Sequence, residues 1–271
     1  MTETPKIAFI GAGHMATSII KGLIQNGYDK TFIGASNRHQ AKIKALHSLG
    51  IKATDNNDEL LDYDIVILSV KPTHLKSLIK EIEPKLNAPL LISIAAGITT
   101  EQMLSWFKKA PSFQLIRVMP NTPAQFGVGI SAVYCLSQSD TIIQSINQIF
   151  QAVGDVIWIE NEADMDIITA LSGSGPAYLY YFIESLIGGA IKLGLPESKA
   201  KTLALKTVYG AAVTALSHQG PIEELREQVT SKGGTTESGL AILKSANLNK
   251  ILFDTLQAAS ERGKTMRKDF S

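Results

Sequence analysis

Short β-rich runs alternate with segments of helical period through the first half of the chain, and the alternation stops near the middle. The runs Lys6 to Ile10, Thr31 to Ala35, Asp64 to Val70, Pro89 to Ile94 and Gln114 to Met119 have the length and composition of strands. Between the first two lies a helical stretch, Met15 to Asn26, stopped by Gly27; after the second lies another, Gln40 to Leu49, stopped by Gly50. Two βα units in succession predict a parallel sheet with helices on both faces. Gly129 to Leu136 and Asp155 to Ile159, flanking a helical stretch near Ser139 to Ala152, extend that sheet. The strand-bearing domain is expected to span residues 1–161.

From Glu162 onward strand signals vanish and long Ala-, Leu- and Ile-rich segments predict helices alone. They are Met165 to Leu171, Pro176 to Leu193, Glu197 to Ser217, Ile222 to Gln228, Thr236 to Ala246 and Leu248 to Arg267. Pro176, Pro196 and Pro221 stand at or just before first turns, where a missing N–H costs nothing. Residues 162–271 thus read as a second, all-helical domain whose apolar content invites a partner surface, so a homo-oligomer is expected.

The 271 residues carry 26 Lys+Arg against 25 Asp+Glu, scattered along the chain, a net charge of +1 that gives no field to attract nucleic acid or an anionic membrane. No nucleic-acid or membrane partner is expected. Ala177 to Leu195 is the most apolar later stretch, but Glu184, Lys192 and three tyrosines interrupt it, so it reads as a buried helix. A single cysteine, Cys135, excludes an intrachain disulfide, and no metal-ligand spacing is present, so no metal is expected. The opening MTETPK lacks the pattern of a signal peptide, and the protein is expected to be cytoplasmic.

Chemistry enters at Gly11-Ala-Gly13-His14-Met15-Ala16, which follows the first strand and opens the first helix. That is the setting of a dinucleotide-binding turn: Gly11 for the tight bend, Gly13 for close approach of a pyrophosphate, Ala16 for helix–strand packing. The expected architecture is α/β, with an N-terminal Rossmann-like doubly wound sheet. At the end of the second strand, where an NAD enzyme carries an acid on the ribose, the chain reads Ala35-Ser36-Asn37-Arg38. Arg38 can pair with a 2′-phosphate, and Ser36 and Asn37 can donate hydrogen bonds to it, so NADP(H) is expected over NAD(H), with acceptance of NAD(H) left open. Two more strand ends, Val70-Lys71-Pro72 and Ala95-Ala96-Gly97, lie on the edge where doubly wound sheets bind ligands.

Three further strings, Arg117-Val-Met-Pro-Asn121-Thr122-Pro123-Ala124, Leu171-Ser-Gly-Ser174-Gly-Pro-Ala-Tyr178 and Ser231-Lys-Gly233-Gly234-Thr235-Thr236-Glu-Ser-Gly239, complete a pattern that spans essentially the whole chain. In this order and spacing the sequence resembles pyrroline-5-carboxylate reductase. The resemblance implies NADPH-dependent reduction of the cyclic imine 1-pyrroline-5-carboxylate to L-proline, the last step of proline synthesis. It implies an all-α C-terminal dimerisation domain interlocked with that of a second subunit, the dimers often assembling into rings of five, a decamer. It also implies residue roles. The substrate carboxylate would meet N–H groups and hydroxyls around Ser231, Gly233, Gly234 and Thr235, with Ser174 on the substrate side and Thr236 facing the ring nitrogen. Asn57 and Lys71 would help hold the cofactor, and Ala95 to Gly97 with Asn121 to Pro123 its nicotinamide end. A protonated C=N accepts hydride readily, so the chemistry asks for orientation and a dry site rather than a strong acid. That suits a chain whose five histidines form no recognisable catalytic set.

Two positions depart from the family's common pattern: Lys232 stands where Pro is usual and Ser238 where Ala is. A more flexible loop is expected from the first. Two rival readings share the cofactor motif. A β-hydroxyacid dehydrogenase needs a base, usually a Lys one or two turns into the first long helix of the second domain, whereas here Lys192 lies near that helix's far end. A protein that only senses the cofactor would need no Ser174, Ser231 or Thr236.

Overall fold

The computed structural model describes residues 4–109 and 112–269. Contacts group them into two compact units, residues up to 174 together with 257 onward, and residues 175–256. The units therefore divide at 174, whereas composition changes at 161. Segment 162–174 and the end of the last helix pack with the sheet.

The first unit is an eight-stranded sheet in the order β3-β2-β1-β4-β5-β6-β7-β8. The strands are β1 (Ile7–Ile10), β2 (Ile33–Ser36), β3 (Lys52–Thr54), β4 (Ile65–Leu68), β5 (Leu90–Ser93), β6 (Gln114–Met119), β7 (Gly129–Cys135) and β8 (Gly154–Trp158). β1 to β6 are parallel; β7 runs antiparallel to β6, and β8 parallel to β7. The helices between them are α1 (His14–Gln25), α2 (Gln40–His47), α3 (Pro72–Ile82), α4 (Thr100–Leu104) and α5 (Asp140–Phe150). All four residues of β1 are buried, because successive side chains feed opposite cores. Ile7 and Phe9 pack with Ile19, Leu23, Ile146 and Phe150 on one face. Ala8 and Ile10 pack with Leu75, Ile79 and Met103 on the other.

Each expected strand and helix of the first half is present, with ends moved by a few residues. β2 starts two residues later than expected, at Ile33, because Lys30–Phe32 form a 3₁₀ turn capped by the Asp29 carboxylate on the Thr31 N–H at 2.9 Å. Two elements go beyond the sequence reading. β3 is a three-residue edge strand with an exposed lysine, too short to show periodicity. α3 begins with Pro72 at its first turn and buries Leu75, Leu78, Ile79 and Ile82, one face at helical spacing.

After β8 the chain is helical: α6 (Met165–Ile168), a π-turn at Thr169–Gly173, α7 (Gly175–Lys192), α8 (Glu197–Ser217), α9 (Ile222–Gln228), α10 (Thr235–Ser245) and α11 (Leu248–Asp269). The expected helix Met165 to Leu171 is thus α-helical only to Ile168. The second unit, taken by itself, has almost no core: among the described residues of α7 to α10 only Ala200 is buried. No helix among the described residues is long and apolar enough to cross a membrane.

Candidate active site

The turn after β1 sits where the strand order reverses, between β1 and β4, the switch point at which open α/β sheets bind ligands. Gly11 has φ +83°, and a Cβ there would lie 2.3 Å from Val70 Cγ1, so both conformation and space demand glycine. Gly13 caps α1 without any side-chain hydrogen bond, and a Cβ on it would meet nothing nearer than the Gly11 carbonyl at 3.9 Å. The α1 N-terminus therefore offers first-turn N–H groups and a positive dipole end to a space kept clear of side chains. A pyrophosphate fits there.

A cleft of about 620 Å³ opens from this turn, lined among others by Ser36, Asn37, Arg38, Asn57, Val70 and Lys71. Within it the expected donors divide into two groups. Ser36 is 1% exposed, and its hydroxyl donates to Asn57 Oδ1 at 2.6 Å. Asn57 in turn donates to Glu81 at 2.8 Å. The Asn37 amide donates to the Ala12 carbonyl at 2.7 Å and accepts from the His39 N–H at 2.9 Å. The Ser36 hydroxyl proton and one of the two Asn37 side-chain N–H bonds, read from sequence as donors to the 2′-phosphate, are thus used within the protein, and the Gly11 N–H donates in turn to the Ser36 hydroxyl at 3.3 Å. Arg38 is exposed and makes no ion pair among the described residues, leaving its guanidinium available to a ligand. Lys71 caps α3 just ahead of Pro72, which places a second cation at the end of β4. His14 is exposed on the first turn and borders a neighbouring groove, and Met15 follows it, half-buried.

The β5 and β6 ends form a separate part of the site. Ala95 is buried, and Gly97, at φ +77°, lies under α11, where a Cβ would come 3.3 Å from both the Gly263 carbonyl and Met266 Cβ. Asn121 is buried, with its amide donating to the Ser172 carbonyl at 3.2 Å and accepting from the Ile130 N–H at 3.0 Å. Thr122 and Pro123 open the 3₁₀ turn that follows.

A residue outside the sequence reading ties these loops together. One oxygen of Glu162 accepts from the Thr100 N–H at 2.8 Å and from Arg117 Nη1 at 3.0 Å, while the other accepts from the Thr100 hydroxyl at 2.7 Å. Thr100 and Arg117 are each 1% exposed. After burial itself, the Glu162 charge helps hold the Tyr134 phenol above its ordinary range. The only sequence signal for this clamp is an arginine inside an otherwise apolar strand, which must find a partner when buried.

In the second unit, Ser231 to Gly234 form the turn into α10. The Gly233 N–H donates to the Glu237 carboxylate at 2.6 Å, and the Gly234 N–H to the Ser231 carbonyl at 3.0 Å. A side chain at Gly234 would meet the Ser231 hydroxyl at 2.4 Å. The glycine donors are thus used within the turn, and the anion-binding capacity passes to the first-turn N–H groups of Thr235 and Thr236, which have no acceptor within the helix. Ser231, Thr235 and Thr236 are exposed. Ser174 lies in the first unit, immediately after the π-turn.

Residues 162–266 match the family model described as pyrroline-5-carboxylate reductase dimerisation, and residues 6–97 match the one described as NADP oxidoreductase, coenzyme F420-dependent. The pyrroline-5-carboxylate reductase of Pseudomonas aeruginosa is 38% identical over 265 residues, 96% of either chain. A solved pyrroline-5-carboxylate reductase from Coxiella burnetii superposes with a TM-score of 0.87 at 38% identity, over 97% of this chain and 98% of that one. The Plasmodium falciparum pyrroline carboxylate reductase, solved with NADP bound, gives a TM-score of 0.89 at 30% identity, over 98% of this chain and 100% of that one. With the glycine turn, the acid-free end of β2 and identity sustained through both units, the chain belongs to the pyrroline-5-carboxylate reductase family.

Proposed function

We infer that this protein reduces the cyclic imine 1-pyrroline-5-carboxylate to L-proline with NADPH, the final step of proline biosynthesis. The observation that carries this is family identity over nearly the full length, joined to a glycine turn and an Arg38 suited to a phosphorylated dinucleotide. When bound, NADPH supplies the hydride. NAD(H), lacking the phosphate that Arg38 favours, is the weaker alternative.

The protein's own part is to bind, orient and dry the reactants. The α1 N-terminus with Gly11 and Gly13 holds the pyrophosphate, Arg38 the 2′-phosphate, and the strand ends at Lys71, Ala95 to Gly97 and Asn121 to Pro123 the remainder of the cofactor. The Thr235 and Thr236 N–H groups and the Ser231 hydroxyl receive the substrate carboxylate, while the Thr236 hydroxyl hydrogen-bonds the ring N–H. As C5 gains hydride, the C=N electron pair returns to nitrogen, and the positive charge carried by the iminium is lost. A polar partner on that nitrogen keeps the ring oriented through the change. Ser174 completes the substrate side.

The second unit, short of a core of its own, supports assembly as a homodimer, and a decamer of five dimers is the larger form this reading allows. Work in the cytoplasm suits the free, buried Cys135, whose thiol burial pushes up.

Mixing purified protein with 1-pyrroline-5-carboxylate and following NADPH absorbance, with proline measured by mass, tests the reading. Imine-dependent oxidation with proline as product is expected. NADPH binding with no turnover of cyclic imines would overturn it in favour of a cofactor-sensing protein.

A further inference from the structure

Asn121 belongs by position to the cofactor side of the site, yet its side chain faces elsewhere. It is 8% exposed, and both ends of its amide are engaged with protein: Nδ2 with the Ser172 carbonyl and Oδ1 with the Ile130 N–H. One N–H and one lone pair of that amide are thus taken by protein, which fixes its orientation, and the contacts of this loop to a nicotinamide are assigned to its backbone and neighbours.

The carbonyl that Asn121 holds belongs to an unusual element. Thr169–Gly173 is a π-turn, closed by the Ser174 N–H donating to the Thr169 carbonyl five residues back, at 2.8 Å. Such turns are rare, and they gather at functional sites because they carry one residue more than an α-turn. One residue is about 100° of helical rotation, so relaxing this turn to α geometry would swing Ser174 about a quarter-turn away from its present direction. Something must hold the wider turn open. The β6 loop does so at two points: Asn121 on the Ser172 carbonyl, and Met119, whose terminal methyl lies so close to Gly173 that a Cβ there would meet it at 2.5 Å. The Ser174 hydroxyl makes no hydrogen bond among the described residues, which leaves it available to a ligand.

We propose that Asn121 is a positioning residue for Ser174: its side-chain amide fixes the π-turn Thr169–Gly173 and so sets the direction in which Ser174 meets the substrate. The proposal rests on the reading of Ser174 as a substrate contact. It assigns to the cofactor-side loop a second duty, coupling the nicotinamide end of the site to the substrate end through one buried hydrogen bond.

Steady-state kinetics with NADPH binding by fluorescence, on Asn121→Asp, Ser174→Ala, their double variant and Gly173→Ala, test it. Asn121→Asp keeps the acceptor for Ile130 but turns a donor to Ser172 into a second, repelling oxygen. It should raise KM for 1-pyrroline-5-carboxylate ~10-fold, the scale of one lost hydrogen bond, with NADPH Kd within about twofold of wild type. Ser174→Ala should give a similar rise, and the double variant no more than either single one, because both remove the same contact. Gly173→Ala presses on the turn from the Met119 side and should reproduce the KM rise, which keeps the test decisive if Asn121→Asp fails to fold. Effects that multiply in the double variant, a parallel loss of NADPH affinity in Asn121→Asp, or an unchanged KM in Gly173→Ala would overturn the coupling. An unchanged KM in Ser174→Ala would remove the contact on which the coupling rests, and the proposal with it.

Discussion

Arg38 shows how one side chain can be singled out by what its neighbours are doing. Ser36 and Asn37 spend their hydrogen bonds on Asn57, Ala12 and His39, so the phosphate-selecting charge at the end of β2 rests on Arg38. Arg38→Ala should weaken NADPH binding by roughly 10- to 100-fold, the range for a lost charge-assisted hydrogen bond, and leave NADH nearly unchanged. Titrating both cofactors against both proteins checks this; an equal loss for the two would mean that Arg38 acts on something other than the 2′-phosphate. Thr236 makes the opposite kind of prediction. Its hydroxyl is exposed on the first turn of α10, in a different unit from the glycine turn. Thr236→Ala should therefore lower kcat by roughly 10-fold, as for one hydrogen bond to the reacting ring, with NADPH Kd unmoved. Turnover equal to wild type would remove that role. Arg38 was legible in the sequence because an acid is missing where its charge would repel phosphate. The commitments of Ser36, Asn37 and Asn121 were not, since each depends on a partner 21 to 51 positions away that only the fold brings near.

At the scale of elements, the same distinction separates what the pattern reveals from what it hides. β1 and β4 are read correctly because a strand buried on both faces must be apolar throughout. β3 escapes because an edge strand of three residues needs no such run. The π-turn escapes because an extra residue in a helix leaves no mark on apolar spacing over a single turn. The Glu162 clamp joins three elements that sequence reading treats separately: β6 through Arg117, α4 through Thr100, and the segment leading into α6. Glu162→Gln would withdraw the carboxylate from a guanidinium that is 1% exposed. The expected loss is about 3 kcal/mol, the lower end for breaking a buried ion pair. In a chain of this size that is a fall in Tm of roughly 10 °C. Thr100→Val removes only the hydroxyl bond and should cost about 1 kcal/mol. Calorimetry on the two variants gives the comparison, and a Glu162→Gln protein as stable as wild type would show that the clamp contributes no net stability.

The two units differ in how they are held together, and that difference governs the whole molecule. The sheet unit has two contiguous cores, one on each face. The unit of residues 175–256 exposes Tyr181, Leu193, Tyr209, Leu216 and Ile242, and on α8 Leu205, Tyr209, Val213 and Leu216 lie exposed along one side. An exposed apolar stripe of this extent marks a surface that a partner covers. About 80 residues with almost no core cannot offset their own conformational entropy, so the proposed homodimer predicts that folding of this unit and association with a second copy are one process. Three consequences can be measured together. Sedimentation should find no monomer at micromolar concentration. The urea midpoint should rise with protein concentration, as it does when unfolding and dissociation are linked. Tyr209→Glu, which puts a charge in the middle of α8, should favour dissociation and lower both the midpoint and the specific activity, because α8 and the Ser231 to Thr236 turn belong to the same unit. A Tyr209→Glu protein that sediments as a monomer with full activity would separate catalysis from assembly and place the whole substrate site within one chain.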